Sequence, residues 1–165
     1  MTQPRIRLLE PADVPALLRI IAAGRAEYGI AEQGVELLEP ADLALFDTYR
    51  RQRTLYFVAE VEGEVLGGAG IAPLAGEDPL TCELQRMYLR QDARGRGLGE
   101  ALLSECLAAA RQLLFVRCYL ETITPMKSAL SFYGRNGFRE LAAPLGRTGH
   151  HHNDRWMVRP VRPGG

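Results

Sequence analysis

The stretch Arg94-Gly95-Arg96-Gly97-Leu98-Gly99 decides how this chain is read. It follows a β-forming segment, Cys82 to Leu89, and runs into a helical pattern from Leu98 to Leu114. Three alternate glycines remove every second Cβ, so the backbone there can approach a ligand closely. The first helical turn presents N–H groups without intrahelical partners at the positive end of the helix dipole. Two arginines add fork-shaped donors suited to phosphate oxygens. Strand, glycine-rich turn and helix together predict a pyrophosphate cradle.

The surrounding composition limits which pyrophosphate this is. At 165 residues, 47% apolar and 24% charged, the chain is expected to form one domain over residues 1–165. Twenty basic residues balance twenty acidic ones, so no global field favours nucleic acid or an anionic membrane as a partner. No apolar run approaches the roughly 20 residues that span a bilayer, and the first residues lack the apolar core of a secretory signal. Cys82, Cys106 and Cys118 are odd in number and widely spaced. They read as three small buried hydrophobes in a reducing cytoplasm, with no metal site.

Outward from the cradle, the chain alternates strands and helices. Ile6 to Leu9 reads as a strand, and Pro11 opens a helix to about Arg25. Leu9-Glu10-Pro11-Ala12-Asp13 recurs as Leu38-Glu39-Pro40-Ala41-Asp42, which predicts the same start chemistry for a helix toward Arg51. Between them the glycine-punctuated stretch from Tyr28 to Glu36 reads as a mobile loop. Leu55 to Val61 and Val65 to Ala72 form a hairpin whose second arm carries Gly67, Gly68 and Gly70, permitting close approach of another backbone. In Cys82 to Leu89, Cys82 and Leu84 share one parity while Met87 and Leu89 share the other. A bulge near Gln85-Arg86 brings both pairs to one face and splays the strand from its neighbour; the alternative is a regular strand with Leu84 and Tyr88 defining one face. Val116 to Thr122 is a strand suited to parallel pairing after the crossover helix. A helix from Met126 to Gly134 or Arg135 follows, then strands at Phe138 to Leu141 and Asp154 to Val158, with Trp156 in the core and a frayed tail over residues 160–165.

A dinucleotide-binding domain would place its glycine turn after the first strand with G-x-G-x-x-G spacing. Here the turn follows position 90 with alternate glycines, and the Gly-Lys-Ser or Gly-Lys-Thr of a P-loop is absent. Arg94, Gly97 and Gly99 instead match the signature of the GNAT superfamily of acyl-CoA-dependent N-acetyltransferases, which the chain resembles across its whole length. The resemblance extends through Glu83-Leu84-Gln85-Arg86-Met87-Tyr88-Leu89, Tyr119-Leu120-Glu121-Thr122 and Ala129 to Phe138.

That resemblance implies an α/β (mixed α+β) fold: a twisted mixed sheet of six to seven strands, about four flanking helices, and splayed fourth and fifth strands. It further implies acetyl-CoA as co-substrate, with pantetheine on the backbone of Met87, Tyr88 and Leu89. The pyrophosphate would lie on Arg94, Gly95, Arg96, Gly97, Leu98 and Gly99. Residues 82–141 would form the acetyl-CoA core and residues 1–54 the lid over a small-molecule amine; a homodimer is compatible with the family. A departure is Met126, at a position where many members carry a cofactor-bonding asparagine; either Thr122, Thr124 or backbone groups replace that contact or it is missing.

The implied reaction is attack of a primary amine on the acetyl thioester. An amine with pKa near ~10 must lose a proton to react. Glu83 is the first candidate base, against the alternative of an edge-strand carboxylate facing solvent. Glu121 is its rival, or a grip on the substrate ammonium. Tyr133 aligns with the family's general acid for the departing thiolate, against the alternative of an aromatic packed on the thioester. His150-His151-His152 cannot easily share one ion because neighbours on an extended segment diverge; a solvated loop, or one inward histidine, is expected.

Overall fold

The cradle strand lies mid-sheet, and its irregularity positions the cleft. The structure is a computed structural model that describes residues 2–30 and 37–162. Its described strands are β1 (Arg5–Leu8), β2 (Leu55–Val61), β3 (Glu64–Pro73), β4 (Thr81–Leu89), β5 (Arg117–Thr122), β6 (Arg139–Leu141) and β7 (Arg155–Pro160). They form one sheet in the order β1-β2-β3-β4-β5-β7-β6. β4 and β5 run parallel, and the other neighbouring pairs are antiparallel. This is the expected mixed α/β architecture.

The bulge is real. Gln85 pairs with Gly70 and Tyr88 with Gly68, so Arg86 and Met87 together oppose Ala69 alone. Arg86 takes φ +48°, unusual for a residue with a Cβ, and Tyr56 donates from its hydroxyl to the Arg86 carbonyl at 2.9 Å. The phase change puts Cys82, Leu84, Met87 and Leu89 against one core. It turns Glu83 and Gln85 to the opposite face. Pairing between β4 and β5 extends only from Thr81–Arg117 to Glu83–Tyr119, after which the strands part.

Helices cover both faces: α1 (Val14–Glu27), α2 (Pro40–Leu43), α3 (Leu45–Thr48), α4 (Leu98–Gln112) and α5 (Lys127–Arg135). α4 contributes Leu98, Leu102, Leu103, Cys106, Ala109 and Ala110 to the main core, with Tyr133 of α5 beside them. On the other face Leu17 of α1 and Leu45 of α3 pack with Tyr49, Tyr56 and Val58. All three cysteines are free and buried.

Several boundaries need correction. Asp13 and Asp42 accept from the amides of Glu10 and Glu39 at 2.8 and 2.7 Å, so the repeated pentapeptide does set the same start. The expected helix toward Arg51 nevertheless breaks into α2 and α3 at Ala44, which leaves helical backbone geometry at ψ 33°, giving five α-helices among the described residues rather than about four. Gly68 and Gly70 admit the rings of Tyr56 and Tyr49 rather than a backbone alone: a Cβ on either would lie within 2.7 Å of a tyrosine ring. Val161 is buried and its amide bonds to Val116, so fraying does not begin at Pro160. Trp156 is half-buried against Leu74, Tyr119 and Val158. Residues 31–36 of the expected loop and 163–165 of the expected tail lie outside the described residues.

Candidate active site

Where β4 and β5 part, a cleft of about 700 Å³ opens. Its floor is the segment from Glu83 to Leu89, with Leu120 to Ile123 opposite and Ala129, Phe132 and Tyr133 of α5 on the far wall. Past Glu83 the β5-facing backbone groups of β4 have no strand partner among the described residues, and so can bond an extended ligand arm.

The cradle closes one end. Gly95 and Gly97 take φ +75° and +80°, and a Cβ on either would project into open space. Gly97 is the N-cap of α4 and no side chain caps that terminus, which leaves the first-turn N–H groups for an anion. Gly95, Gly97, Gly99 and Arg94 line the cleft. The Leu98 side chain turns into the core, so only its N–H can serve a ligand; Arg96 is exposed and outside the cleft lining. Arg94 is held by a two-pronged pair with Glu27 at 2.9 and 2.8 Å.

The other end is acidic. Glu83 is 6% exposed, so the reading as a solvent-facing edge carboxylate is wrong: β4 is central, and β5 covers that position. Burial raises its carboxyl to about 6, opposed by the hydrogen bond from Gln85 and reinforced by the Glu121 charge. A chain of donors orients it: Arg86 Nη1 donates to Tyr49 Oη at 2.9 Å, Tyr49 to Gln85 Oε1 at 2.8 Å, and Gln85 Nε2 to Glu83 Oε1 at 2.6 Å. Glu121 accepts from Tyr119 Oη and from Thr148 Oγ1, each at 2.6 Å, and from Asn153 at 3.4 Å. His150 faces inward and lies 3.1 Å from Glu39. One ligand-capable atom each of Glu83, Glu121 and His150 falls within 4.8 Å of the others. The histidine run is not simply a solvated loop: His150 and His152 line the cleft while His151 is exposed.

Tyr133 lines the cleft between Phe132 and Phe138, edge-on to both rings at 5.4 and 5.6 Å. Burial raises its hydroxyl well above the usual tyrosine value, so it stays protonated. Thr124 is committed to Asp154 through both its amide and its hydroxyl, and cannot replace the missing asparagine. Thr122 lines the cleft with its hydroxyl 3.0 Å from the Met126 sulfur and remains available.

Residues 23–138 match the family model described as acetyltransferase (GNAT) family. The chain belongs to that family. Over 148 residues, 89% of each chain, it is 42% identical to the uncharacterized N-acetyltransferase YjgM of Escherichia coli K12. The GNAT acetyltransferase of Staphylococcus aureus Mu50 superposes with a TM-score of 0.83 at 20% identity, covering 97% of this chain and all of that one. PaiA N-acetyltransferase of Thermoplasma acidophilum, solved in complex with coenzyme A, superposes at 0.70 with 19% identity, covering 96% and 99%. Membership makes this chain a GNAT N-acetyltransferase using an acyl-CoA co-substrate, and no helix among the described residues is long and apolar enough to cross a membrane.

Within this GNAT site, sequence reasoning missed Arg25, Glu39, Arg86, His152 and Asn153 as cleft residues. Glu39 had a signal in the repeated pentapeptide, whose aspartate, Asp42, anchors Arg25 and Arg86. Arg86 stood at the predicted bulge, where a strand characteristically re-aims a side chain. The loop residues carried no periodic signal.

Proposed function

We propose that the enzyme transfers an acetyl group from acetyl-CoA to a primary amine of a small molecule by direct attack within a ternary complex. The observation that carries this reading is Glu83: a buried carboxyl with its pKa near 6 at the fork of β4 and β5. Ionised at neutral pH yet more basic than an ordinary carboxylate, it can take the amine proton directly or through water.

In this reading the acetyl-CoA pyrophosphate lies on the turn from Arg94 to Gly99 and pantetheine follows the unpaired backbone of Met87 to Leu89. The ammonium first loses one proton to solvent, the free amine nitrogen attacks the carbonyl carbon, and the surplus proton on that nitrogen passes to Glu83. A β4 amide near Met87 or Leu89 stabilises the oxyanion. The C–S bond then breaks, and Tyr133 donates its proton to the leaving sulfur and is reprotonated from solvent. Glu121, already held by three donors, steadies the incoming ammonium.

A small acceptor is favoured over a peptide by the loop between β6 and β7. Thr148 and Asn153 tie it to Glu121, and His150 ties it to Glu39, so it crosses the acceptor end where a peptide would need an open groove. Arg25, Tyr28, Ile30 and Glu39 line the same end, consistent with residues 1–54 forming the lid side. The test is thiol release from acetyl-CoA across a panel of amines and peptides. Release with peptides alone would overturn the small-molecule reading; cofactor binding without release on any acceptor would overturn catalysis.

A further inference from the structure

The acceptor end holds positive charge as well as negative. Arg25 and Arg86 converge on one carboxylate, Asp42, which is wholly buried behind them and absent from the cleft lining. Two guanidinium groups share that one buried carboxylate, with the Glu39 carboxylate on the cleft side of Arg86. Arg86 is the more confined, its side chain 9% exposed. Its Nε bonds to Asp42 and its Nη1 to Tyr49 and Gln85. Its Nη2 donates to no acceptor among the described residues; the Glu39 carboxylate stands 3.9 Å away, beyond hydrogen-bond reach. No buried side-chain nitrogen or oxygen among the described residues lacks a hydrogen-bond partner, so Nη2, which has none, is open to the cleft that Arg86 lines. The side chain is also aimed there at a conformational cost, because the bulge holds Arg86 at positive φ.

We propose that this face binds a carboxylate on the acceptor, so that the substrate is a small amino acid: a primary amine and a carboxylate on one molecule. The inference rests on the acetyl-transfer reading above and names its substrate class. The ammonium lies toward Glu83 and Glu121, and the carboxylate takes the place at Arg86 Nη2 that Glu39 approaches without bonding. Glu39, held by His150 and one-third exposed, can yield that place. Arg86 thus determines specificity through Nη2, while its Nη1 heads the donor chain that orients Glu83, so its loss lowers turnover on every acceptor and the carboxylate preference is read from the ratio. A diamine or polyamine carries no acceptor for Arg86 Nη2.

The experiment measures kcat/KM for thiol release from acetyl-CoA with matched acceptors: an amino acid, its amide, and the amine lacking the carboxylate. Examples are methionine, methioninamide and 3-(methylthio)propylamine, alongside 4-aminobutanoate, butylamine and 1,4-diaminobutane. The wild-type protein should prefer the carboxylate-bearing partner in at least one series by about 10- to 100-fold, the value of a hydrogen-bonded charge pair. Arg86→Gln, checked for retained fold and acetyl-CoA binding, should bring that ratio near one, chiefly through KM of the amino acid. Equal rates within every series, or 1,4-diaminobutane surpassing all amino acids, overturns the proposal while leaving acetyl transfer intact. Because the wild-type ratios decide it, a misfolded Arg86→Gln does not rescue it. Absence of release with every acceptor would overturn the acetyl-transfer reading instead.

Discussion

Replacing Glu83 by glutamine should make the protein less active and more stable at once. The wild-type carboxyl sits at about 6 against an ordinary 4.5, with burial as the main cause. That gap corresponds to about 2 kcal/mol by which ionisation of Glu83 costs the native state. The native state binds this proton more tightly than the unfolded chain. The penalty is therefore absent below pH 4.5, grows between 4.5 and about 6, and is fully present above. Glutamine removes the charge and still accepts the bond from Gln85, although less strongly than a carboxylate, so the net gain at pH 8 is about 1 to 2 kcal/mol. For a chain of this size that raises Tm by roughly 2 to 8 °C. At pH 4 the two proteins should melt alike. Turnover should fall about 10²- to 10⁴-fold, the usual contribution of a positioned base, and the acid limb near pH 6 in kcat should disappear. Scanning calorimetry at the two pH values and a pH–rate profile read both effects. A variant that melts lower at pH 8, or that keeps the limb near pH 6, would refute the assignment of a buried, ionised base.

Tyr133→Phe should lower kcat about 10- to 100-fold, while the rise in Tm produced by acetyl-CoA stays as in wild type; unchanged kcat at saturating substrate removes the acid role. Arg94→Ala should raise KM for acetyl-CoA about 10-fold with less than about 1 kcal/mol lost in stability, since its pair with Glu27 lies at the surface, about one-third exposed; equal KM values would place the pyrophosphate elsewhere. Asp42→Asn breaks a buried cluster with two arginines and should cost about 3 to 5 kcal/mol, seen as a Tm drop of roughly 6 to 20 °C; a drop below 3 °C contradicts it. Treatment with EDTA should leave thiol release unchanged, because both Glu121 oxygens already accept hydrogen bonds; a loss restored by a divalent ion would make Glu83, Glu121 and His150 a metal centre.

What could be read from the chain alone was local. The cradle was legible because Gly95, Gly97 and Gly99 act through their own backbone and the helix that begins beside them. The bulge was legible because the parity change between Leu84 and Met87 is a pattern within nine residues. The single helix expected from Leu38 to Arg51 failed at Ala44, since burial of Leu45 and Tyr49 against Tyr56 overrides local helical preference. The acceptor end was the least legible. Its members come from α1, the approach to α2, β4, β5 and the loop before β7, far apart in sequence and aligned by no shared spacing.

By itself, then, the sequence predicted the strands, the bulge and the glycine turn, because periodicity and glycine placement act over a few neighbouring residues, while the mixed sheet and the candidate carboxylates followed from its resemblance to a family. Only the tertiary structure decided that Glu83 is buried, that Arg86 turns an unused donor toward the cleft, and that His150 closes over it. Charge and burial at those positions are set by partners 44 and 111 positions away, Asp42 for Arg86 and Glu39 for His150. Desolvation and pairing depend on distance through space, which one-dimensional spacing does not encode.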